Sequence, residues 1–485
     1  MSTPRVRIAP SPTGNLHIGT ARTALFNYLF AKRYGGSFVL RIEDTDLLRS
    51  DKKYERDIFE GLRWLGIVPD EGPEQDGRFA PYRQTERIAD YVAAIKKLLA
   101  EGHAFYCFHS EAELVAERQQ LMGAKQPPIH ICEFRSLDAR EAEILTATKQ
   151  DYIIRFKTPL GKKIVFHDLI RGELSFDSDL LGDFSIAKRI DIPLYNFAVV
   201  VDDHAMQITH IIRGEDHIPN TPKQLLLIEA LGFAVPEYAH LPLILGPDRS
   251  KLSKRHGATS IIDYKNAGYL PEALVNFIAL LGWSPGNDRE IMSHEELISS
   301  FSLEKIQKSG AIFDVQKLDW MNGEYIRAES PSELLELALP FLNEYLKQAL
   351  PNADFSMEYL EQVVALEQPR LKKLLEIGLA TEYFFRQPTY EKELLRWKTM
   401  DDPAILASLK RSREIMTNMH ESWTLASIES AFLVALGEGS KGQLLWPLRV
   451  ALSGRKASPG PFEILTILGK QKSVLRIEEA IKKFS

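Results

Sequence analysis

The first hundred residues alternate strand-like and helix-like segments, and this alternation constrains the fold more than any other feature of the sequence. Residues 6–9 (VRIA) are typical of a short buried strand, residues 17–34 carry apolar side chains at helical spacing, and residues 37–42 (SFVLRI) are typical of a second strand. Strands that alternate with helices build parallel sheets, which bind ligands at the carboxyl ends of their strands. We therefore predict an α/β domain whose functional residues follow its strands.

The pattern changes after residue 100. Residues 101–190 begin with a helix rich in Glu and Arg and continue with short strands, including residues 152–157 and 163–168. A change of this kind within an α/β pattern is typical of an inserted domain.

The α/β pattern then resumes, with strands predicted at 195–201 and 208–213 and a helix at 221–231. From residue 330 onward the spacing is almost wholly helical. A chain of 485 residues has room for roughly three domains. We predict the segments 1–100, 101–190, 191–248, 249–329, 330–390 and 391–485, with breaks in the helical part near Pro351, Pro388 and residues 437–442.

Charge and cysteine content limit the class of protein. The formal net charge is −6, and averaged over the whole chain it argues against a protein coated in basic charge for nucleic acid. The last 45 residues nevertheless carry nine Lys or Arg and three Glu, a local +6, so the remainder carries −12. Two cysteines give no disulfide framework. With no visible secretory signal and no apolar stretch of about 18 residues, we expect a cytoplasmic protein with no membrane partner.

A proline-stiffened turn follows the first predicted strand, in the segment 9–20, APSPTGNLHIGT. It places His17 and Gly19 at the start of a helix, where free backbone N–H groups and the helix dipole attract phosphate. The alternative is that His17 only caps or packs the helix.

A basic loop lies more than two hundred residues later, in the segment 246–257, GPDRSKLSKRHG. Lys251, Lys254 and Arg255 are suited to neutralise charge that develops on a polyphosphate. Alone, such a run is usually a solvated surface loop.

Together the two segments resemble the two signatures of class I aminoacyl-tRNA synthetases. The segments RIAPSPTG (7–14), RIEDTD (41–46), IRGEDH (212–217) and WMNG (320–323) are similar to those of bacterial-type glutamyl-tRNA synthetases, and the resemblance runs from residue 5 to the C-terminus. Thr20 stands where the strict signature ends in His. The resemblance implies a Rossmann-like class I catalytic domain with an inserted α+β domain that binds the tRNA acceptor end, and an all-α C-terminal anticodon-binding region in two subdomains.

The resemblance also implies the reaction and its residues. Members of this family activate glutamate with ATP, accompanied by Mg²⁺, and transfer it to the 3′-terminal adenosine of tRNA(Glu). The catalytic residues would be His17, Gly19, Lys251, Lys254 and Arg255. ATP would contact His17, Gly19, Thr20, Asp216, Lys251, Ser253 and Lys254. Glutamate would contact Arg7, Ala9, Ser11, Glu43, Tyr195 and Arg213.

Residue chemistry supports this glutamate pocket. Arg7 lies on the first predicted strand and Arg213 ends a later one, so they should converge at one sheet edge, and arginine binds a carboxylate through two parallel hydrogen bonds. Glu43 would face the α-ammonium group. The alternative is a set of strand-end residues paired with one another. Asp202 and Asp203 are either Mg²⁺ ligands or residues of a strand-end turn.

The insertion raises the question of a metal. Cys107-x-His109 is followed after twenty residues by His130-x-Cys132, and four such ligands can close a tetrahedral zinc site. Some relatives carry zinc in this region, mainly on cysteines. Both spacings are tighter than usual, and isolated Cys and His are often buried without metal.

Arg370 lies where an arginine is associated in the family with the choice between glutamate and glutamine anticodons, and it is equally explained as a solvated charge. We expect a monomer that charges tRNA(Glu). The alternatives are a non-discriminating enzyme that also charges tRNA(Gln), a glutaminyl enzyme, a silent tRNA-binding paralogue, and a nucleotidyltransferase of the same fold. A nucleotidyltransferase explains neither the helical C-terminal half nor the paired arginines.

Overall fold

The computed structural model describes residues 3–149, 151–257, 259–350, 355–420, 422–436 and 440–484, without the side chains of Ala139 and Lys254. The chain forms two compact units. One comprises the residues up to Lys265 together with Pro271–Val315, and the other comprises Asn266–Leu270 and the residues from Gln316 onward. The finer boundaries given above stay predictions.

The described strands lie in the first unit and form four small sheets, in the orders β1-β2, β6-β5-β10-β9, β3-β4-β7-β8 and β11-β12. They are β1 (Arg5–Ile8), β2 (Ser37–Leu40), β3 (Ala104–Cys107), β4 (Ile153–Phe156), β5 (Lys163–Asp168), β6 (Gly172–Asp177), β7 (Ser185–Arg189), β8 (Ile192–Pro193), β9 (His210–Gly214), β10 (Glu237–Leu241), β11 (Ile244–Leu245) and β12 (Ala311–Ile312).

The described α-helices are α1 (Ile18–Arg33), α2 (Lys52–Trp64), α3 (Ile88–Ala100), α4 (Glu111–Gly123), α5 (Ala139–Thr148), α6 (Tyr195–Ala205), α7 (Thr221–Leu231), α8 (Ile261–Asn266), α9 (Pro271–Ala279), α10 (His294–Ser300), α11 (Val315–Ala328), α12 (Pro331–Ala349), α13 (Met357–Glu367), α14 (Ile377–Phe385), α15 (Asp402–Asn418), α16 (Leu425–Leu436), α17 (Lys441–Ser453) and α18 (Pro461–Lys482). Short 3-10 turns join them, including Glu215–Asn220, Lys254–His256 and Gln368–Arg370. None of the described helices is long and apolar enough to cross a membrane.

Parallel strands bring the predicted site residues to one side of the first unit. β1 pairs with β2, and β9 pairs with β10, both in parallel register. The backbone N–H of Thr209, just before β9, donates to the carbonyl oxygen of Arg5 in β1, and the Thr209 hydroxyl group accepts from the Arg5 N–H. The carboxyl ends of β1 and β9 therefore open on the same side, as predicted for an α/β sheet.

The first helix is fixed at both ends. His17 precedes α1 in an extended conformation. Gly36 comes shortly after α1 and packs so closely against Pro4 that a Cβ atom at residue 36 would lie 2.1 Å from the Pro4 carbonyl oxygen. The predicted strand at 163–168 and the predicted helix at 221–231 are confirmed to the residue. The predicted strand at 37–42 ends two residues earlier, at Leu40.

The strand predicted at 195–201 is wrong, because this segment is helix α6. Its residues 197–203 are all buried, so the helix lacks a solvent-facing side that would reveal its period. A short, continuous apolar run does not distinguish a buried strand from a buried helix. Asp202 and Asp203 consequently lie within a helix and are not residues of a strand-end turn.

Within residues 101–190, β3, β4 and β7 form an antiparallel sheet, which β8 extends just after this range. Helices α4 and α5 lie between β3 and β4 in sequence. Strands β5 and β6 of the same range instead join the sheet of β9 and β10, and the bounds 101–190 of the inserted domain stay a prediction. The second unit is helical and contains an apolar core that includes Val363, Phe384, Leu448 and Ile464. Pro351 and residues 437–439 of the predicted breaks lie outside the described residues.

Candidate active site

A cleft of about 1390 Å³ opens at the carboxyl ends of β1 and β9 in the first unit. It brings together both sequence segments that were predicted to bind phosphate. Its lining includes these predicted residues: Arg7, Ala9, Ser11, His17, Gly19, Thr20, Glu43, Tyr195, Arg213, Asp216, Lys251 and Ser253. The described part of the chain therefore places twelve of the fourteen predicted catalytic and small-substrate residues around one space.

The start of α1 provides oriented donors in this cleft. His17 caps the helix, because its Nδ1 accepts hydrogen bonds from the backbone N–H groups of Gly19 (3.1 Å) and Thr20 (3.3 Å). Burial and the charge of Lys251 lower the pKa of His17, so its ring is neutral near pH 7. Since Nδ1 accepts, the single ring proton sits on Nε2, 3.1 Å from the Thr20 hydroxyl group. Capping thus fixes the tautomer that offers a donor.

The basic loop contributes two of its predicted residues to the cleft. Lys251 and Ser253 line it, and Lys251 Nζ lies 3.4 Å from Asp216 Oδ2. Burial would raise the pKa of Asp216, but the charges of His217 and Lys251 outweigh it and lower that pKa. Arg255 lies outside the lining and contacts Asp248 and Ser250 within the loop. The side chain of Lys254 lies outside the described residues.

Arg7 and Glu43 form the inner wall of the cleft through a buried charge network. Arg7 makes two hydrogen bonds to Asp203, of 3.1 and 3.3 Å. Arg41, which is fully buried, lies 2.8 Å from the same carboxylate and 3.4 Å from Glu43. Desolvation raises the pKa of Glu43 to about 7 against the opposing charges of Arg41 and Arg7. Glu43 is thus a carboxyl group that titrates near neutrality.

Arg213 and Tyr195 also line the cleft. The Arg213 guanidinium donates from Nε to His240 Nε2 (3.2 Å) and from Nη2 to the Thr221 hydroxyl group (2.8 Å). Its Nη1 is buried and has no hydrogen-bond partner among the described residues. The Tyr195 hydroxyl group lies 3.0 Å from Nδ1 of His217. Burial, and then the nearby charge of Arg213, lowers the pKa of His217 to about 4.

Asp202 and Asp203 have protein partners, which makes Mg²⁺ coordination at this pair a poor fit. Asp202 is fully buried and accepts hydrogen bonds from Arg87, Gln84 and Tyr91. Asp203 holds Arg7 and Arg41. Both carboxylates are saturated by side chains of the first unit, and we no longer regard them as candidate metal ligands.

Sequence reasoning missed several residues that hold this site. His217 and His240 were not assigned roles there, although His217 stands in a quoted motif, and Asp203 was considered only as a Mg²⁺ ligand or a turn residue. Asp57 on α2 accepts a 2.6 Å hydrogen bond from the backbone N–H of Leu16 and so holds the turn before α1. His256 packs against Gly246 and accepts from the N–H of Ser253 at the base of the loop. Each acts on a residue distant in sequence or on a backbone group, for which one sequence gives no signal.

Four potential metal ligands converge in the insertion. One side-chain donor atom from each of Cys107, His109, His130 and Cys132 lies within 4.8 Å of every other. His109 Nδ1 lies 3.5 Å from Cys107 Sγ and 3.6 Å from Cys132 Sγ. His130 contacts Glu117 through Nδ1 at 2.5 Å, and its Nε2 is buried without a partner among the described residues.

In the second unit, Arg370 ends a 3-10 turn and its side chain is 46% exposed. Burial, and then the charge of Arg370, lowers the pKa of Arg449, so the two guanidinium groups interact electrostatically. Arg449 also donates to the backbone carbonyl group of Lys456. We call Arg370, Arg449 and Lys456 the basic cluster.

Comparisons with known proteins agree with this geometry. Residues 4–320 match the family "tRNA synthetases class I (E and Q), catalytic domain", and residues 333–481 match "Anticodon binding domain". The chain is 46% identical to a glutamate–tRNA ligase of Desulforamulus reducens over 99% of both chains, and 44% identical to one of Moorella thermoacetica, also over 99% of both.

A solved structure gives the same result. A glutamate tRNA ligase from Elizabethkingia meningosepticum, crystallised in complex with its amino acid, is 35% identical, with a TM-score of 0.90 over 100% of both chains. Its likeness covers the class I catalytic domain and the helical C-terminal region alike. The family matches, the full-length relatives and the shared fold together place this chain in the glutamate–tRNA ligase family of class I aminoacyl-tRNA synthetases.

Proposed function

We propose that this chain activates glutamate with ATP to glutamyl adenylate and transfers the glutamyl group to the 3′-terminal adenosine of tRNA(Glu). The observation that carries the proposal is the cleft itself. It combines a capped helix start and a basic loop, which suit a polyphosphate, with two buried arginines and a carboxyl group, which suit a charged amino acid.

The first step needs no general base. The α-carboxylate of glutamate is ionised at pH 7 and attacks the α-phosphorus of ATP, while the bond to pyrophosphate breaks. Lys251 and the Nε2–H of His17 stabilise charge on the phosphates. When bound with ATP, Mg²⁺ supplies further charge neutralisation, mainly through phosphate oxygens and water.

The amino-acid end is selected by charge. Glu43 accepts the α-ammonium group, and Arg213 Nη1 donates to the side-chain carboxylate. Glutamine presents an amide nitrogen at one of these positions, which leaves a buried arginine donor without an acceptor. A site built to hydrogen-bond a substrate group rejects analogues that lack it by large factors. In the second step the terminal ribose hydroxyl group attacks the adenylate carbonyl, and AMP leaves.

The experiment is glutamate-dependent exchange of pyrophosphate into ATP, with and without tRNA(Glu), with glutamine in parallel. We expect exchange with glutamate and at least about a hundredfold less with glutamine. Exchange with glutamine alone, or with neither amino acid, would contradict the proposal. The same preparation should charge a tRNA(Glu) transcript, and equal charging of tRNA(Gln) would instead identify a non-discriminating enzyme.

The donor set in the insertion fits a structural zinc ion. A tetrahedral Zn²⁺ with ordinary bond lengths separates a sulfur and a nitrogen ligand by about 3.6 Å, which matches the two distances from His109. Each histidine has its other nitrogen near a carboxylate: His130 Nδ1 lies 2.5 Å from Glu117, and His109 Nε2 lies 3.7 Å from Glu133. Such outer partners are typical of metal-bound histidines. Cys107, His109, His130 and Cys132 would hold the ion.

A further inference from the structure

His240 is held in one orientation by Asp168. It lies on β10 with no exposed surface, and Asp168 ends β5 and is equally buried. The backbone N–H of His240 donates to Asp168 Oδ2 at 3.0 Å, and Nδ1 of its ring lies 2.6 Å from the same oxygen. Two contacts to one oxygen fix both the backbone and the ring.

The partners of Asp168 determine which ring nitrogen carries the proton. Oδ1 of Asp168 accepts from the backbone N–H groups of Ile170 (3.0 Å) and Arg171 (2.8 Å). Burial would raise the pKa of Asp168, but these donors and His240 outweigh it and lower that pKa. Because the carboxylate is ionised and can only accept, the proton lies on Nδ1 of His240.

Nε2 of the neutral ring then carries a lone pair, and it faces Arg213. It accepts from the Nε–H of Arg213 at 3.2 Å, while the Thr221 hydroxyl group, also 3.2 Å from Nε2, accepts from Arg213 Nη2. Two of the three guanidinium nitrogens are thus fixed by uncharged acceptors. The third, Nη1, is left for a ligand in the cleft.

The two arginines of the cleft therefore differ in how far the groups in direct contact compensate their charge. Arg7 is paired with the carboxylate of Asp203 through two hydrogen bonds, so much of its charge is neutralised locally. Arg213 contacts a neutral imidazole and a hydroxyl group, and the nearest carboxylate in this chain of contacts, Asp168, lies beyond the ring. Arg213 keeps its charge for the substrate.

We propose that Asp168, His240 and Thr221 are positioning residues that hold the Arg213 guanidinium for the side-chain carboxylate of glutamate and so set the preference for glutamate over glutamine. This inference rests on the proposed function. The residues act through Arg213 and do not touch the substrate themselves.

A protonated His240 would turn a second N–H toward Arg213 and lose the contact. Burial lowers the pKa of His240, and the charges of Arg213 and Arg171 lower it further, against the opposing effect of Asp168. The other groups around the ring are His217 and the rings of Tyr238 and Phe166. The ring is therefore neutral in the range where the proposed reaction runs.

Two substitutions, whose side-chain amides differ in reach by one methylene group, test the two ring contacts of His240 separately. In His240→Gln the amide oxygen reaches the position of Nε2 and can accept from Arg213, whereas in His240→Asn the amide reaches only the position of Nδ1. We expect His240→Asn to raise the KM for glutamate at least about tenfold, the loss of one hydrogen bond to a charged group. His240→Gln should raise it less, and the KM for ATP should change less than twofold in both.

The preference of the enzyme for glutamate over glutamine is the measurement that distinguishes positioning of Arg213 from a merely structural role of these residues. The ratio of exchange rates with glutamate and glutamine should fall in His240→Asn and stay near the wild-type value in His240→Gln. Thr221→Val should act like His240→Asn, and Thr221→Ser, which keeps the hydroxyl group, like the wild type. The two Thr221 variants test the same positioning of Arg213 if the His240 variants fail to fold.

The two proposals fail in different ways. A wild-type protein without glutamate-dependent exchange would remove the proposed function. An active wild type whose His240→Asn and Thr221→Val variants keep both the glutamate KM and the glutamate preference would overturn this inference alone. Equal loss of glutamate and ATP affinity in the Asn and Gln variants would also overturn it, since it would indicate general damage to the fold.

Discussion

The carboxyl group of Glu43 is buried beside two arginines and still titrates near neutrality. Burial raises its pKa to about 7, while Arg41 and Arg7 oppose the rise and Asp203 and Asp202 add to it. Only the ionised form attracts the α-ammonium group of an amino acid. Glutamate binding should therefore release a proton from this site below about pH 7.

We expect kcat/KM for glutamate to rise about tenfold between pH 6 and pH 8, with a midpoint near 7, because this parameter reports the pKa of the free enzyme. The sign follows from the ionised fraction, which grows as pH rises through the raised pKa. His217, whose pKa is lowered to about 4, is neutral throughout this range, and burial also lowers the pKa of His17.

The control for this profile is Glu43→Gln, which should give a lower value without the rise at pH 7. The pH dependence of kcat/KM for ATP at saturating glutamate should be the same in both proteins. A wild-type profile without the midpoint, or a midpoint that persists in Glu43→Gln, would contradict the assignment.

At this scale the sequence predicts the residues that face the cleft better than those that support them. Arg7, Glu43 and Arg213 stand in local motifs that a single chain displays. Asp203 is 196 residues from Arg7, and His240 is 27 residues from Arg213. Their roles depend on hydrogen bonds between strands and helices that only the folded chain brings together.

At the scale of elements, the potential metal cluster joins two segments of the insertion. Cys107 ends β3, and Cys132 precedes the 3-10 turn Glu133–Ser136. The backbone N–H of Cys132 donates a hydrogen bond to Asp183. A bound ion would tie these segments together beside a small core that is formed by Phe105 and the two cysteines, with Phe134 packed against them.

We expect about one equivalent of zinc in protein prepared without chelators, because four ligands in this arrangement close a tetrahedral site. Cys132→Ser should hold less than about half an equivalent and should unfold at a lower temperature, since metal binding contributes to folding. Metal analysis and thermal unfolding measure both.

The matched control is His167→Ala, which removes an exposed histidine on β5 outside the cluster. It should keep the wild-type zinc content and melting temperature. Less than about half an equivalent in the wild type would remove the metal site, and equal zinc in Cys132→Ser would remove these ligands.

The elements themselves show where periodicity succeeds and where it fails. The prediction of helix α7 is correct to the residue, and Gly232 ends the helix in a left-handed conformation, which glycine adopts readily. Helix α6 was predicted as a strand because every residue from Phe197 to Asp203 is buried. A period is visible only where one side of an element meets water.

At the scale of the whole molecule, net charge conceals where nucleic acid can bind. The basic tract at the C-terminus folds into α17 and α18, but one of its nine cations is unavailable to phosphate. Arg476 is buried and donates to the backbone carbonyl groups of Leu452 and Tyr383. Conversely, Arg370 lies outside the tract in sequence and joins it in the basic cluster. The folded chain therefore buries one cation of the C-terminal tract and adds to the tract a cation that is distant in sequence.

Each cation that contacts a phosphate releases counterions, so binding that depends on such contacts weakens steeply with salt. We expect the affinity for tRNA(Glu) to fall more than about tenfold between 50 and 200 mM KCl, the result for two or more contacts. Lys456→Gln, in the basic cluster, should reduce the slope of log K against log salt concentration by roughly 0.7 to 0.9. Filter binding over a salt series measures these slopes.

Lys482 provides the matched control for this measurement. It is also exposed and lies in the same C-terminal tract, but its Nζ is held 2.6 Å from Glu479, so its charge is compensated within α18. Lys482→Gln should leave the slope unchanged. A flat salt response of the wild type would exclude phosphate contacts as the source of affinity, and equal effects of the two substitutions would mean that the overall charge, and not the basic cluster, governs tRNA binding.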